Sequence, residues 1–288
     1  MFPSPVERTG GDSNPRYDYS YTAFPMLLLQ PLGHLSIEAS YSTRMPDAGQ
    51  PSPGILVLNK PVGPSSMRAV SIVRRALDGV KTGHAGTLDP LADGVLVLAC
   101  GKAATKSIPH FMGTDKRYRT QIDLRAFTAT DDTQADPEPV EVSTPPTDTE
   151  IDALLSAYQG TIMQTPPVFS AIRVGGKRAY AEARAGRPPE LEARPVQVHR
   201  IHRVGGSWPV VELEIHCEKG FYVRSLAREL GEKLGTGGHC LSITRTAVGP
   251  FVLDEAVSLD PLPAELGAKL IPLQDALRRV GVNQDEAG

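Results

Sequence analysis

Residues 117–125 alternate without a break, placing Tyr118, Thr120, Ile122 and Leu124 on one face of an extended chain and Arg117, Arg119, Gln121, Asp123 and Arg125 on the other. Successive strand side chains point to opposite faces, so this segment is predicted to bury one face and wet the other. A sheet covered on one side is typically antiparallel, which argues against a doubly wound parallel sheet. Residues 169–174, 196–204, 210–217 and 241–247 read as further strands, and 54–58 and 95–99 as short, buried apolar strands. Helices are predicted after Ser66, with Val70, Val73 and Leu77 at helical spacing, and after Thr149, with Ile151, Leu154, Leu155 and Tyr158 before Gly160. A third covers 225–234, with Leu226, Leu230 and Leu234 on one stripe before Gly235. Strands outnumber helices in irregular order, so the expected fold class is α+β: a mixed, largely antiparallel sheet with flanking helices.

A chain of 288 residues accommodates one elaborate domain or two ordinary ones, but its 26 prolines and 27 glycines point to sizeable loops or tails. Residues 1–50 carry Pro, Ser, Gly and Tyr without periodicity and are expected to be disordered, with Met45 a candidate true start. A folded core is expected over 51–252, followed over 253–288 by a short segment with one amphipathic helix carrying Leu273, Ala276, Leu277 and Val280. The three cysteines, Cys100, Cys217 and Cys240, are too few for a disulfide scaffold, and neither a secretory leader nor a spanning apolar run is visible. A cytoplasmic, non-membrane protein is expected.

The net charge of −3 averages two unlike segments. Between residues 173 and 203 lie Arg173, Lys177, Arg178, Arg184, Arg187, Arg194, Arg200 and Arg203 against three glutamates, whereas every charged residue from 128 to 152 is acidic. The basic block is either a solvated face or a phosphate-binding surface.

Residues 83–96, Gly-His-Ala-Gly-Thr-Leu-Asp-Pro-Leu-Ala-Asp-Gly-Val-Leu, hold a carboxylate in a glycine-rich loop directly before a buried strand. Pro90 pushes Asp89 into an extended conformation. Asp89 is thus either a turn residue or a presented acid. Two clusters combine aromatic and cationic residues: Lys116-Arg117-Tyr118-Arg119, and Phe221-Tyr222-Val223-Arg224 just before a helix. Such clusters suit a nucleotide splayed out of its stack, although a core tyrosine and a surface arginine are the plainer readings of Tyr118 and Arg224. The pairs His216-Cys217 and His239-Cys240 offer zinc-type donors, but strand neighbours face opposite ways, so no metal is expected there.

Taken in order, Leu58-Asn59-Lys60-Pro61, residues 83–96, Asp115-Lys116-Arg117-Tyr118-Arg119, Gln164 to Ala171 with Gly176-Lys177-Arg178-Ala179-Tyr180, residues 220–225, and Gly238-His239 through Arg245 resemble the TruB-type tRNA pseudouridine synthases. The resemblance covers about residues 54–251. It implies an RNA-binding cleft and isomerisation of uridine 55 in the TΨC loop of tRNA, with no cofactor and no metal. Asp89 matches the essential aspartate, a nucleophile or base, and Arg224 the arginine that pairs with it. Tyr118 matches the residue that stacks on the flipped uracil and takes part in C5 deprotonation. His84 matches the histidine that displaces the target base, Tyr222 and Ile243 the uracil pocket, and Lys60 the lysine supporting the active-site loop. The partner expected is the tRNA TΨC stem-loop, with the enzyme a monomer.

Pro61-Val62-Gly63-Pro64-Ser65-Ser66 departs from the family's helix entry, and Pro64 should stiffen it. About 37 residues follow Phe251, in which a full RNA-binding domain of the PUA type is not expected. A tRNA-binding folding helper and a small-molecule glycosidase using Asp89 and Asp93 are the alternatives; the basic block and aromatic clusters favour RNA over the latter.

Overall fold

A computed structural model describes residues 52–170 and 172–282. The expected disorder of residues 1–50, and the start at Met45, lie outside the described residues.

The chain opens with β1 (Gly54–Lys60), α1 (Ser66–Ala76), β2 (Thr82–His84), β3 (Asp93–Cys100), α2 (Lys102–Lys106), α3 (Ile108–Met112) and β4 (Lys116–Asp123). Next come a small hairpin of β5 (Ala126–Thr128) and β6 (Pro137–Pro139), α4 (Asp148–Ser156), β7 (Gly160–Gln164), a second hairpin of β8 (Arg173–Val174) and β9 (Lys177–Arg178), and α5 (Ala179–Arg184). Then follow β10 (Arg194–Ser207), β11 (Val210–Cys217), α6 (Val223–Leu234), β12 (His239–Val248), β13 (Phe251–Val252), β14 (Val257–Ser258), β15 (Ile271–Pro272) and α7 (Leu273–Arg279). The main sheet runs β14-β1-β3-β12-β4-β11-β10-β7. Its pairings are antiparallel except β1 with β14 and β3 with β12, so the fold is α+β with a mixed, mostly antiparallel sheet.

The two halves of this sheet explain two kinds of sequence pattern. In β1 and β3, Leu56, Leu58, Leu96, Leu98 and Cys100 pack into one apolar cluster while Ile55, Val57, Val95, Val97 and Ala99 pack into another across the sheet. Strands buried on both faces have no polar positions, hence the unbroken runs. In β11 only Val211, Leu213, Ile215 and Cys217 are buried, and the intervening Glu212, Glu214 and His216 face away, hence alternation. Residues beyond Val252 join the same body: β14 and β15 both pair with β1, and Ala276 and Leu277 of α7 enter the second cluster.

Local details differ from the sequence reading in four places. β4 ends at Asp123, which is buried and not on the wet face, its carboxylate accepting from the Arg125 amide and guanidinium in the bend that follows. Ser65, not Ser66, caps α1 by accepting from the Arg68 amide, which frees the Ser66 hydroxyl for the neighbouring loop. Thr147, not Thr149, caps α4, because Glu150 lies three residues on and closes a reciprocal capping box. Of the described residues in 169–174 only Arg173–Val174 is strand; Pro166 and Pro167 withhold donors just upstream, and a Gly175-Gly176 turn closes the hairpin.

Candidate active site

The loop between β2 and β3 is clamped from three sides, and the clamp begins with backbone polarity. The Ser66 hydroxyl accepts from the Leu88 amide and donates to the Leu88 carbonyl, both at 2.8 Å. Arg245, on β12 and 2% exposed, donates to the carbonyls of Val95 (2.8 Å), Thr87 (3.1 Å) and Gly86 (3.3 Å). The Gly63 amide donates to Pro90 at 2.7 Å. Arg245 comes this close because Gly94, at φ +99°, pairs with it across β3 and β12; a Cβ there would lie 2.3 Å from the Arg245 carbonyl oxygen. Buried Lys60 lies beneath the α1 entry, donating to Pro61 (2.8 Å) and Pro64 (3.0 Å). Burial pulls its amine down to about 8 against the nearby charges of Asp93 and Asp89. A neutral amine keeps two N–H donors, so both loop contacts survive the loss of charge.

Asp89, fixed by these neighbours, accepts from Arg224 Nη2 at 2.8 Å. Arg224 is the second residue of α6 and its side chain is 4% exposed, against 36% for Asp89. Its guanidinium also donates to Thr130 O (3.0 Å) and Phe169 O (2.9 Å), and Nη1 lies 3.6 Å from Asp132. Asp132 is wholly buried and accepts from Thr130 Oγ1 (2.6 Å), the Gln134 amide (2.9 Å) and Gln134 Nε2 (3.2 Å). This buried carboxylate faces the inner side of the arginine that meets Asp89. One turn along α6, Arg228 pairs with Asp131.

Asp89, Arg224, Tyr118, Tyr222 and Ile243 meet at one cavity of about 290 Å³, which Lys116 also lines. Aromatic and aliphatic side chains line it together with the acid and the cation. Burial pushes the Tyr118 phenol up to about 12 and the Tyr222 phenol upward, so both are neutral donors at neutral pH. Tyr222 is held by its own peptide: its amide donates to Gln164 Oε1 (2.8 Å) and its carbonyl accepts from Gln164 Nε2 (3.1 Å).

Not every expected residue reaches this cavity. His84 lines an adjoining groove of about 840 Å³, shared by Asp89 and Arg224 and walled by Met67, Phe169 and Tyr180. Burial, with Arg245 nearby, holds its imidazole below the usual range and therefore neutral. Lys60 lines neither space and acts on the α1 entry from below. Sequence reasoning missed Asp132, Gln164, Ser66 and Arg245. Asp131 and Asp132 fall in the all-acidic stretch 128–152, and both are buried against α6 arginines.

The opposed charge blocks partly cancel in the fold. Arg203 pairs with Asp148 (2.8 Å) and Asp152 (3.0 Å), and Arg187 with Glu182 (3.3 Å). Arg184 stays at the groove wall, its guanidinium 5.8 Å from the Tyr180 ring centroid. The four donors of the His-Cys pairs diverge: Cys217 and Cys240 are buried, and His239 Nδ1 donates to Ala126 O at 2.8 Å. No helix among the described residues is long and apolar enough to cross a membrane.

Residues 74–223 match the family model described as TruB family pseudouridylate synthase, N-terminal domain. The chain is 44% identical over 234 residues to "tRNA pseudouridine synthase B" of Gluconobacter oxydans, covering 80% of this chain and 68% of that protein. It is 45% identical over 237 residues to the protein of the same name from Dinoroseobacter shibae, covering 80% and 77%. Among solved structures, a chain of a Cbf5-Nop10-Gar1 complex superposes with a TM-score of 0.60 at 25% identity, over 78% of this chain and 62% of that one.

Proposed function

We propose that this chain, which belongs to the TruB family of pseudouridylate synthases, isomerises uridine 55 in the TΨC loop of tRNA to pseudouridine. The observation that carries this reading is the Asp89–Arg224 pair, 2.8 Å apart, lining a cavity together with Tyr118, Tyr222 and Ile243. The reaction breaks the N1–C1′ bond, forms a C5–C1′ bond, releases the C5 proton and protonates N1. It balances without a co-reactant.

The target nucleotide must leave its stack before its glycosidic bond can be reached. Once flipped, uracil lies between Tyr118 and Ile243, whose apolar surfaces keep water from the detached base while it turns. Asp89 initiates cleavage as nucleophile or base. Arg224 holds that carboxylate aimed beside an anionic backbone. His84 and the groove it lines receive the chain flanking the target, with Phe169 and Tyr180 as stacking faces and Arg184 as a phosphate partner. The buried free thiols and the tRNA substrate suit a cytoplasmic enzyme.

The direct test maps pseudouridine at single-nucleotide resolution in tRNA from cells lacking this chain. Position 55 is expected to revert to uridine, wild type to restore it, and Asp89→Asn to fail; unchanged modification in the deletion overturns the reading. Tyr118→Phe separates ring from hydroxyl. It is expected to hold tRNA affinity within a few-fold while kcat drops about 10²–10⁴-fold, the usual worth of a positioned proton-transfer group. Near-normal turnover would reduce Tyr118 to a stacking surface.

A further inference from the structure

We propose that Asp115, His199 and His216 form a binding site for a divalent transition metal of the zinc class, on the sheet face opposite Asp89. The residues lie far apart in the chain but converge through the sheet. Asp115 immediately precedes β4, His216 is the penultimate residue of β11, and His199 sits where the register of β10 against β11 shifts between Val198 and Arg200. That bulge leaves His199 without a ladder partner and turns its ring toward His216, with centroids 4.6 Å apart. The face follows from the pleat: Cys217 and Ile215 enter the core, so His216 projects the other way, away from the cavity walled by Tyr118 and Ile243.

The spacing of the donor atoms argues for an ion at their centre. His199 Nε2 and His216 Nε2 each stand 3.2 Å from the same Asp115 oxygen, Oδ2, and one donor atom from each residue lies within 4.8 Å of the others. The His216 contact also serves as a hydrogen bond, longer than the usual charge-assisted length of about 2.7–2.9 Å, and His199 converges on the same oxygen. Ligands at about 2.0–2.1 Å from a tetrahedral zinc are separated by roughly 3.3 Å, close to the observed edges. Two imidazoles and a carboxylate are a standard zinc donor set, with a fourth position open to water. All three side chains are about one-third to two-fifths exposed, so an ion has access. Arg117 pairs with His216 across the β4–β11 ladder and opposes a cation, but it is exposed and can swing into solvent. The metal would tie the start of β4, the strand that carries Lys116 and Tyr118, to β10 and β11. This inference rests on the geometry alone and stands apart from the proposed reaction.

The test uses the full chain, freed of metal by chelator and titrated with Co²⁺, whose visible bands report tetrahedral coordination, and then with Zn²⁺ as competitor. Saturable 1:1 binding is expected, with Zn²⁺ displacing Co²⁺ and raising Tm. His199→Ala and His216→Ala should each weaken binding by more than the roughly 10–100-fold typical of losing an outer-shell partner. The metal-free Tm of each variant checks that it folds, with His199→Gln in reserve. X-ray absorption of the zinc-loaded protein should show nitrogen and oxygen neighbours only. Absence of saturable binding, binding retained by both histidine variants, or sulfur in the coordination shell overturns the site.

Discussion

Asp89→Asn is expected to lower isomerisation by about 10⁴-fold or more, the scale of loss when a group acting directly on the reacting bond is removed, while leaving tRNA affinity intact or improved. The substitution keeps size and shape and retains an oxygen that can accept from Arg224 Nη2, 2.8 Å away in the wild type. It removes the charge and the basicity, which are the properties the chemistry needs. Binding has no reason to suffer, because a carboxylate beside a phosphate backbone repels it. Folding should also hold, since Arg224 keeps its bonds to Thr130 and Phe169 and its buried counter-ion Asp132. Release of label from [5-³H]uridine-tRNA under single-turnover conditions reports the C5 step, and a filter-binding titration reports affinity. A variant that still released label at more than a few percent of the wild-type rate would remove Asp89 from the chemistry. Loss of binding alongside activity would make it a docking residue instead.

The legible and illegible parts of this molecule divide on a physical line. Alternation over 117–122 and the unbroken runs at 54–58 and 95–99 were readable because each strand records which of its own faces is buried. The Asp89 loop and the cluster holding Arg224 were readable as candidates because glycine, proline and an aromatic-cationic cluster are local features. What supports them is not local. Asp132 looks like any acid in an acidic, proline-rich stretch until Arg224, far along the chain, comes to rest 3.6 Å away. Gln164 matters only because the Tyr222 peptide arrives opposite it, and Arg245 only because Gly94 lets two strands approach. Burial of a polar side chain depends on partners that distant sequence supplies, and neither composition nor periodicity carries that information. The same reason hid the convergence of Asp115, His199 and His216, in which His216 meets residues distant in the chain and not its neighbour Cys217.

Arg224→Lys, which keeps the charge, is the second decisive substitution and is expected to lower kcat by about 10²–10³-fold, on the scale of losing a preorganised electrostatic contact. One planar guanidinium serves Asp89, Phe169 O, Thr130 O and Asp132 at once, with Nη2 shared by the first two and Nη1 by the others. An ammonium is a compact point charge on a shorter reach and cannot hold all four acceptors in those directions. If it follows Asp132 inward, Asp89 loses its aim; if it follows Asp89 outward, two carbonyls and a buried carboxylate are left short of donors. An unmet buried acceptor costs about 1–3 kcal/mol, and a buried ion pair broken from one side about 3–5 kcal/mol. The lysine variant is therefore expected to lose about 2–4 kcal/mol in urea unfolding, less than a neutral replacement because its charge still faces Asp132. Asp132→Asn distinguishes positioning from stability. It leaves Arg224 bound to Asp89 and both carbonyls but removes the inner charge, so kcat should fall about 10-fold with KM unchanged. In the double variant with Arg224→Lys, the two losses should be less than additive, since both act through the same guanidinium. Additive losses, or a lysine variant turning over within a few-fold of wild type, would mean that the Asp89–Arg224 contact does not set the reactivity of the carboxylate.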